Sequence, residues 1–160
     1  MDNGRTQDAR DNPGVIAPPP LIYLVGLLAG FVLGRALRTP ALRRPRTRIV
    51  GAALASAGLS LMRNFFVSFK RADTPINPAR SARTLVVEGP YRFTRNPAYL
   101  GMALLYSGIA LMRGAVGPLL TLPAVIGVID RGVIAREEGY LSERFGEPYL
   151  EYCTRVRRWV

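Results

Sequence analysis

The chain has 160 residues, 49% of them hydrophobic, with 22 Lys or Arg against 11 Asp or Glu, a formal charge of +11 and no histidine. With Cys153 as its only cysteine, it has no means of building a Ser-His-Asp triad, a Cys-His dyad, a histidine-based metal site or an intrachain disulfide. One domain is expected from the length, and so basic a charge on so apolar a chain fits either a membrane protein or a basic tail on an apolar core.

Residues 1–17, MDNGRTQDARDNPGVIA, lack apolar periodicity and read as a disordered tail, too polar for a signal peptide. The chain changes at Pro18: no charge falls between Leu21 and Gly34, and a first membrane helix is predicted over 18–37. A second, over 48–69, is interrupted only by Arg63 and Asn64, close enough to Lys70 and Arg71 for the arginine stem to snorkel outward. A third is predicted over 97–112. A fourth, over 115–143, follows the turn Arg113-Gly114 and runs from an apolar stretch into the charged stretch Asp130 to Glu143. A soluble fold would have to hide four nearly charge-free stripes where helices normally carry a polar face. The pattern predicts an all-α integral membrane protein, one domain over 18–160 with about four transmembrane helices.

Lys70 is the sole lysine; arginines in Arg35–Arg48, Lys70–Arg95 and Arg131–Arg158 carry almost all of the positive charge. The positive-inside rule puts the last two clusters, and with them the C-terminus, on the cytoplasmic side of the cell (inner) membrane. The first loop, with Arg35, Arg38, Arg43, Arg44, Arg46 and Arg48, then falls outside, so the orientation of the first helix stays open. Because the arginines border apolar spans and no recognition helix, zinc spacing or aromatic-studded sheet motif is present, their expected partners are membrane lipids, with no nucleic acid and no metal.

The richest stretch is TPINPARSARTLVVEGPYRFTRNPAYLG, Thr74 to Gly101. Pro75, Pro78, Pro90 and Pro97 fix its direction, Gly89 permits a tight turn, and Tyr91, Arg92, Arg95, Asn96 and Tyr99 gather at a membrane mouth. Pro97 opens the third helix, leaving the N–H groups of Ala98, Tyr99 and Leu100 facing the loop, which suits a carboxylate or phosphate; a plain juxtamembrane anchor is the alternative. The second rich stretch is AREEGYLSERFGEPYLEYCTRVRRWV. Glu137 and Glu138 lie where a carboxylate opposes the helix dipole. They could accept hydrogen bonds from ribose hydroxyls, or form a salt-bridged helix exit with Arg136 and Arg144. Gly146 is expected to stop one short helix, Pro148 to Tyr152 to start another, and Trp159 to anchor at the interface.

Together these stretches resemble the bacterial isoprenylcysteine carboxyl methyltransferase-like family, within the wider group that contains the phospholipid methyltransferases. The resemblance runs from about Arg48 to Val160 through T-x-I-N-P, T-L-V-V-E-G-P-Y, R-F-T-R-N-P-A-Y-L-G and E-E-x-x-L-x-x-x-F-G-x-x-Y-x-x-Y-x-x-x-V-R-R-W. It implies a membrane enzyme that transfers a methyl group from S-adenosylmethionine to a lipophilic small molecule or lipid, with the cytoplasmic loop and helical tail closing the cofactor site. The cofactor contacts it implies fall on Thr84, Leu85, Val86, Tyr91, Asn96, Pro97, Tyr99 and Glu137, with Arg95 and Glu138 at the catalytic centre and the choice of ribose partner open between the two glutamates. Asn96 stands where eukaryotic members usually have histidine. The arginine that the family uses for its substrate is replaced by Val133, leaving Arg131 or Arg136 to bind an anionic acceptor. O-methylation of an isoprenylcysteine-like carboxylate is the favoured reaction. N-methylation of a phospholipid or small amine, with Glu137, Glu138 or Tyr91 as base, is the alternative, and a non-enzymatic transporter or lipid-binding subunit is the reading from another class.

Overall fold

A computed structural model of the chain describes residues 14–42, 44–71 and 85–160. Residues 1–13 of the polar tail, Arg43, the T-x-I-N-P stretch and Thr84 lie outside the described residues.

The four apolar runs form helices α1 (Pro19–Ala36), α2 (Pro45–Arg71), α3 (Pro97–Met112) and α4 (Val116–Ile129). One departure from the expected boundaries has a local cause. Helix α2 starts three residues earlier than the apolar run because Pro45 takes a first-turn position that needs no N–H. The Thr47 hydroxyl reinforces that turn through the carbonyls of Leu42 and Arg44, at 2.6 and 2.7 Å. As expected, helix α4 runs on past Ile129 into the charged α5 (Ala135–Phe145), giving one rod over Val116–Phe145, but it does so through a π-helical turn, Asp130–Ile134. Gly146, at φ +58°, then breaks the rod, and α6 (Glu147–Arg155) follows. Helices α1 and α2 and the α4–α5 rod are long and apolar enough to cross a membrane; α3, with 16 residues, is apolar but shorter, about 24 Å.

Glycines set the helix pairing. Gly51 and Gly58 of α2 lie against Gly108 and Gly101 of α3, so near that a Cβ on Gly58 would stand 2.5 Å from the Gly101 carbonyl oxygen. In the same antiparallel sense Gly26, Gly30 and Gly34 of α1 meet Val125, Pro118 and Gly117 of α4. Close backbone approach at small residues is how helices gain van der Waals contact where lipid removes the hydrophobic drive between them. Among the described residues the buried cluster is small: Tyr23, Tyr99, Ala103, Tyr106, Val125, Ile129, Val133 and Ile134, drawn from α1, α3 and the α4 rod. The flanks facing lipid stay uncovered, as at Val32, which is 67% exposed.

These pairings put the start of α1, the end of α2, the start of α3 and the π-helical turn at one end of the bundle. The first basic loop is at the other end, where the Leu42 N–H donates to the Gly114 carbonyl at 2.9 Å. The conflict with the positive-inside rule is therefore a property of the fold: basic residues sit at both ends of the bundle.

Candidate active site

Three segments converge at the α3-start end: the loop before α3, the π-helical turn with α5, and the C-terminal tail after α6. The loop forms a 3₁₀ turn over Gly89–Arg92, held to α6 by the Tyr152 hydroxyl, which donates to the Tyr91 carbonyl at 2.8 Å. The Tyr91 ring lies beside Phe65 and Phe69 of α2, at centroid distances of 6.3 and 6.1 Å. Burial, followed by the charge of Glu137, raises the Tyr91 phenol well above its ordinary value, so this side chain stays protonated.

At the start of α3 the Thr94 hydroxyl accepts from the Asn96 N–H at 3.2 Å. The Asn96 side chain makes no cap and donates instead to the Arg158 carbonyl at 2.9 Å. Leu100 N–H donates to the Asn96 carbonyl at 3.0 Å, so it is consumed within the helix and does not face the loop as expected. One turn on, the Tyr99 hydroxyl donates to Glu137 Oε1 at 2.7 Å, while the Tyr99 carbonyl accepts from the Tyr23 hydroxyl at 3.0 Å. Tyr99 thus joins α1, α3 and α5 at a single residue.

The adjacent glutamates do different things. Glu138 is enclosed by two guanidinium groups: Arg95 Nη1 lies 3.3 Å from Oε1, Arg158 Nε donates to the same oxygen at 3.2 Å, and Arg158 Nη2 binds Oε2. Arg158 also reaches back to Asp130, its Nη1 lying 3.2 Å from Oδ2. Two acids and two arginines form a neutral quartet, which keeps the cost of withdrawing charge from water tolerable. Its hydrogen bonds to Glu138, with the charges of Glu138 and Asp130, hold Arg158 still more firmly protonated than usual. Glu137, by contrast, meets only the Tyr99 hydroxyl among the described residues, through one of its two oxygens. Arg95 Nη1 also touches Cys153 Sγ at 2.6 Å, and Arg95 Nε is buried without an acceptor among the described residues.

Of the residues singled out in the sequence, Tyr91, Arg95, Asn96, Pro97, Tyr99, Glu137 and Glu138 are brought to this end. Leu85 and Val86 lie half-buried in the extended chain that leads into the 3₁₀ turn. Arg131, in the π-helical turn, and Arg136, in α5, lie at the same end but make no hydrogen bond or ion pair with Tyr99, Glu137 or Arg95 among the described residues. Both are exposed; Arg136 Nη1 donates to the Gly14 carbonyl at 2.6 Å, and Arg131 lines an open groove of about 910 Å³ together with Ile16, Asp130, Arg158 and Trp159. Val133, where the family's substrate arginine would stand, is fully buried in the core. Trp159 is no free interfacial anchor: its Nε1 donates to Asp130 Oδ1 at 3.2 Å and its ring packs on the buried cluster. Asp130, Arg158 and Thr94 were given no role at the cofactor site from the sequence. An isolated acid at the end of an apolar helix and an arginine in the terminal V-R-R-W were the available signals, and only folding joins them.

The profile of the family described as phospholipid methyltransferase matches residues 46–148, which takes in α2, the loop, α3, α4 and α5. An uncharacterized protein of Haemophilus influenzae (strain ATCC 51907 / DSM 11121 / KW20 / Rd) is 39% identical over 62 residues, or 39% of this chain and 98% of that protein. No solved structure matches the chain. A family profile that covers well over half of the sequence, on an all-helical fold with membrane-spanning helices, identifies the chain: it belongs to the phospholipid methyltransferase family.

Proposed function

We propose that the chain transfers a methyl group from S-adenosylmethionine to a lipophilic acceptor at the end of the bundle where Tyr99, Glu137, Arg95 and Asn96 meet, and that this end faces the cytoplasm of the cell. The observation that carries the reading is the division of labour between the glutamates. Both Glu138 oxygens are engaged by guanidinium groups, whereas Glu137 is oriented by Tyr99 through one oxygen and keeps the other for a ligand. Glu137 is therefore the partner for ribose hydroxyls, and Glu138 the residue that holds Arg95 in place. The orphaned, buried Nε of Arg95 supplies a charged donor suited to a carboxylate such as that of the methionyl group.

When bound, S-adenosylmethionine supplies a methyl group already activated on a sulfonium. The protein's part is alignment and exclusion of water. Phe65, Phe69 and Tyr91 form an aromatic wall on the α2 side of the loop, and the tail covers Asn96. Tyr91 remains protonated and serves as a donor, which leaves a carboxylate as the base for any acceptor that must lose a proton.

Of the two acceptor chemistries, a lipid amine fits better than a lipid carboxylate. An anionic acceptor needs a cation, yet Arg131 and Arg136 are exposed, Arg136 donates to the Gly14 carbonyl, and Arg158 is shared between two acids. The test is methyl transfer from radiolabelled S-adenosylmethionine in detergent micelles. Label entering phosphatidylethanolamine and not a prenylated cysteine is the expected result; label entering only the prenylated carboxylate restores O-methylation, and label in neither from a protein that binds the cofactor rejects both acceptor classes.

A further inference from the structure

Asp130 is 31% exposed at its side chain, lies at the first residue of the π-helical turn and makes no hydrogen bond with Tyr99, Glu137 or Asn96 among the described residues. Its two oxygens are spent entirely on the last residues of the chain. Oδ1 accepts from Trp159 Nε1 at 3.2 Å and from Arg158 Nη1 at 3.3 Å, and Oδ2 accepts from Arg158 Nη1 at 3.2 Å. The other face of the same guanidinium grips Glu138. On the opposite side of this tail, three donors of the α3-start loop find their acceptors on its backbone: Arg95 N–H on the Arg157 carbonyl at 3.0 Å, and the Thr94 hydroxyl and Asn96 Nδ2 on the Arg158 carbonyl at 3.1 and 2.9 Å. Residues 157–159 are thus a strap with Asp130 as one fastening and the Thr94–Asn96 loop as the other.

We infer that Asp130 is a positioning residue: by fastening Arg158 and Trp159 it seats the tail so that Glu138, Arg95 and Asn96 hold their places at the cofactor site. The inference rests on the cofactor reading given above. Its physical basis is the geometry of arginine, whose planar fork presents its donors in fixed directions. With Nη1 drawn to Asp130, Nε and Nη2 are left pointing as a pair at the Glu138 carboxylate. Released from Asp130, the guanidinium can rotate about its last side-chain torsions, Glu138 loses its bidentate partner, and Arg95 loses the fixed carboxylate that orients it. The Arg158 carbonyl that receives Thr94 and Asn96 moves with the same residue. A π-helical turn is a fitting place for the fastening, because its extra residue lets an acid leave the apolar face of the rod just where the tail crosses.

Trp159 is the only tryptophan of the chain, so its fluorescence reads the seating of the strap without any ligand. In the detergent-solubilised full chain, Asp130→Ala is expected to shift Trp159 emission to the red and raise its quenching by acrylamide, and to weaken S-adenosylhomocysteine binding by about tenfold, as for outer partners that orient a ligand. Asp130→Asn keeps one acceptor for Trp159 and Arg158 and should recover most of both signals. Arg158→Ala should cost at least as much cofactor affinity, and Asp130→Ala added to it should cost little further affinity, since Asp130 reaches Glu138 only through Arg158; the added loss of the Trp159 bond is read in the emission alone. Helical circular dichroism and a monodisperse elution profile keep unfolded variants out of the comparison, with Asp130→Asn as the variant least prone to that loss. Unchanged emission and quenching in folded Asp130→Ala overturns the seating. A red shift with cofactor affinity within twofold of the parent overturns the positioning role, as does a further tenfold loss in the double variant. Absence of S-adenosylhomocysteine binding by the parent protein itself overturns the cofactor reading, a result distinct from any of these.

Discussion

At the scale of single residues, position along a helix separates two glutamates that the sequence sets side by side. Consecutive residues of an α-helix diverge by about 100°, so Glu137 faces Tyr99 while Glu138 faces Arg95 and Arg158. Their substitutions should diverge as sharply. Glu137→Ala is expected to weaken S-adenosylhomocysteine binding in calorimetric titration with little change in unfolding temperature. Glu138→Ala takes from Arg95 its carboxylate and from Arg158 one of its two, and should cost about 1–3 kcal/mol of stability, read by thermal unfolding in detergent. Equal losses of affinity and stability in both variants would contradict the division. The raised titration of Tyr91 makes a further prediction. A raised phenol keeps its proton through and beyond the ordinary tyrosine value near 10, so no tyrosinate forms to act as base as pH rises from neutral. The methyl-transfer profile of Tyr91→Phe between about pH 7 and 10 should therefore have the same shape as that of the parent; loss of an alkaline rise in the variant would assign Tyr91 a proton-transfer role.

At the scale of elements, the existence and order of the helices were legible because charge-free runs of near-membrane length are a strong signal, and Pro97 marked the start of α3 exactly where a first-turn proline belongs. Helix pairing was written in the sequence too, as Gly26, Gly30 and Gly34 at four-residue intervals and as Gly51–Gly58 and Gly101–Gly108 at seven, but spacing alone does not say which glycine meets which. The continuation of α4 into α5 was readable as apolar sequence becoming charged; the π-helical turn was not, since one extra residue per turn leaves no compositional trace. The pairing makes a controlled test. Gly58→Leu and Gly108→Leu each drive side-chain atoms into the backbone of the partner helix and should destabilise by about 1–3 kcal/mol, whereas Gly127→Ala meets open space and should stabilise by about 0.5–1 kcal/mol through helix propensity alone. Thermal unfolding in one detergent compares all three, and a neutral Gly58→Leu would refute the close α2–α3 contact.

At the scale of the whole molecule, the candidate site is assembled from parts that are remote in sequence: 38 residues separate Tyr99 from Glu137, 62 separate Asn96 from Arg158, and 28 separate Asp130 from Arg158. The resemblance to a family could nominate Tyr91, Arg95, Asn96, Tyr99 and Glu137 residue by residue, because those lie inside motifs. It implied a tail that closes the site, but had no purchase on Asp130 or on which tail residues fasten where, since those contacts exist only when the rod, the loop and the C-terminus meet. The fold also explains why the basic charge gave contradictory topology signals: one arginine cluster lies by the Arg113-Gly114 turn and the others lie by the site, so no orientation gathers them all on one side.

The central claim is that this end of the bundle is an S-adenosylmethionine site built on Glu137. Calorimetric titration of the detergent-purified full chain with S-adenosylhomocysteine, beside Glu137→Ala, tests it most directly. Saturable binding by the parent, reduced at least about tenfold in a folded Glu137→Ala variant, is the predicted result; a loss of tenfold corresponds to about 1.4 kcal/mol, the order of a single hydrogen bond to a charged group. A folded parent protein that binds no S-adenosylhomocysteine, or a Glu137→Ala variant that binds as tightly as the parent, would contradict the claim.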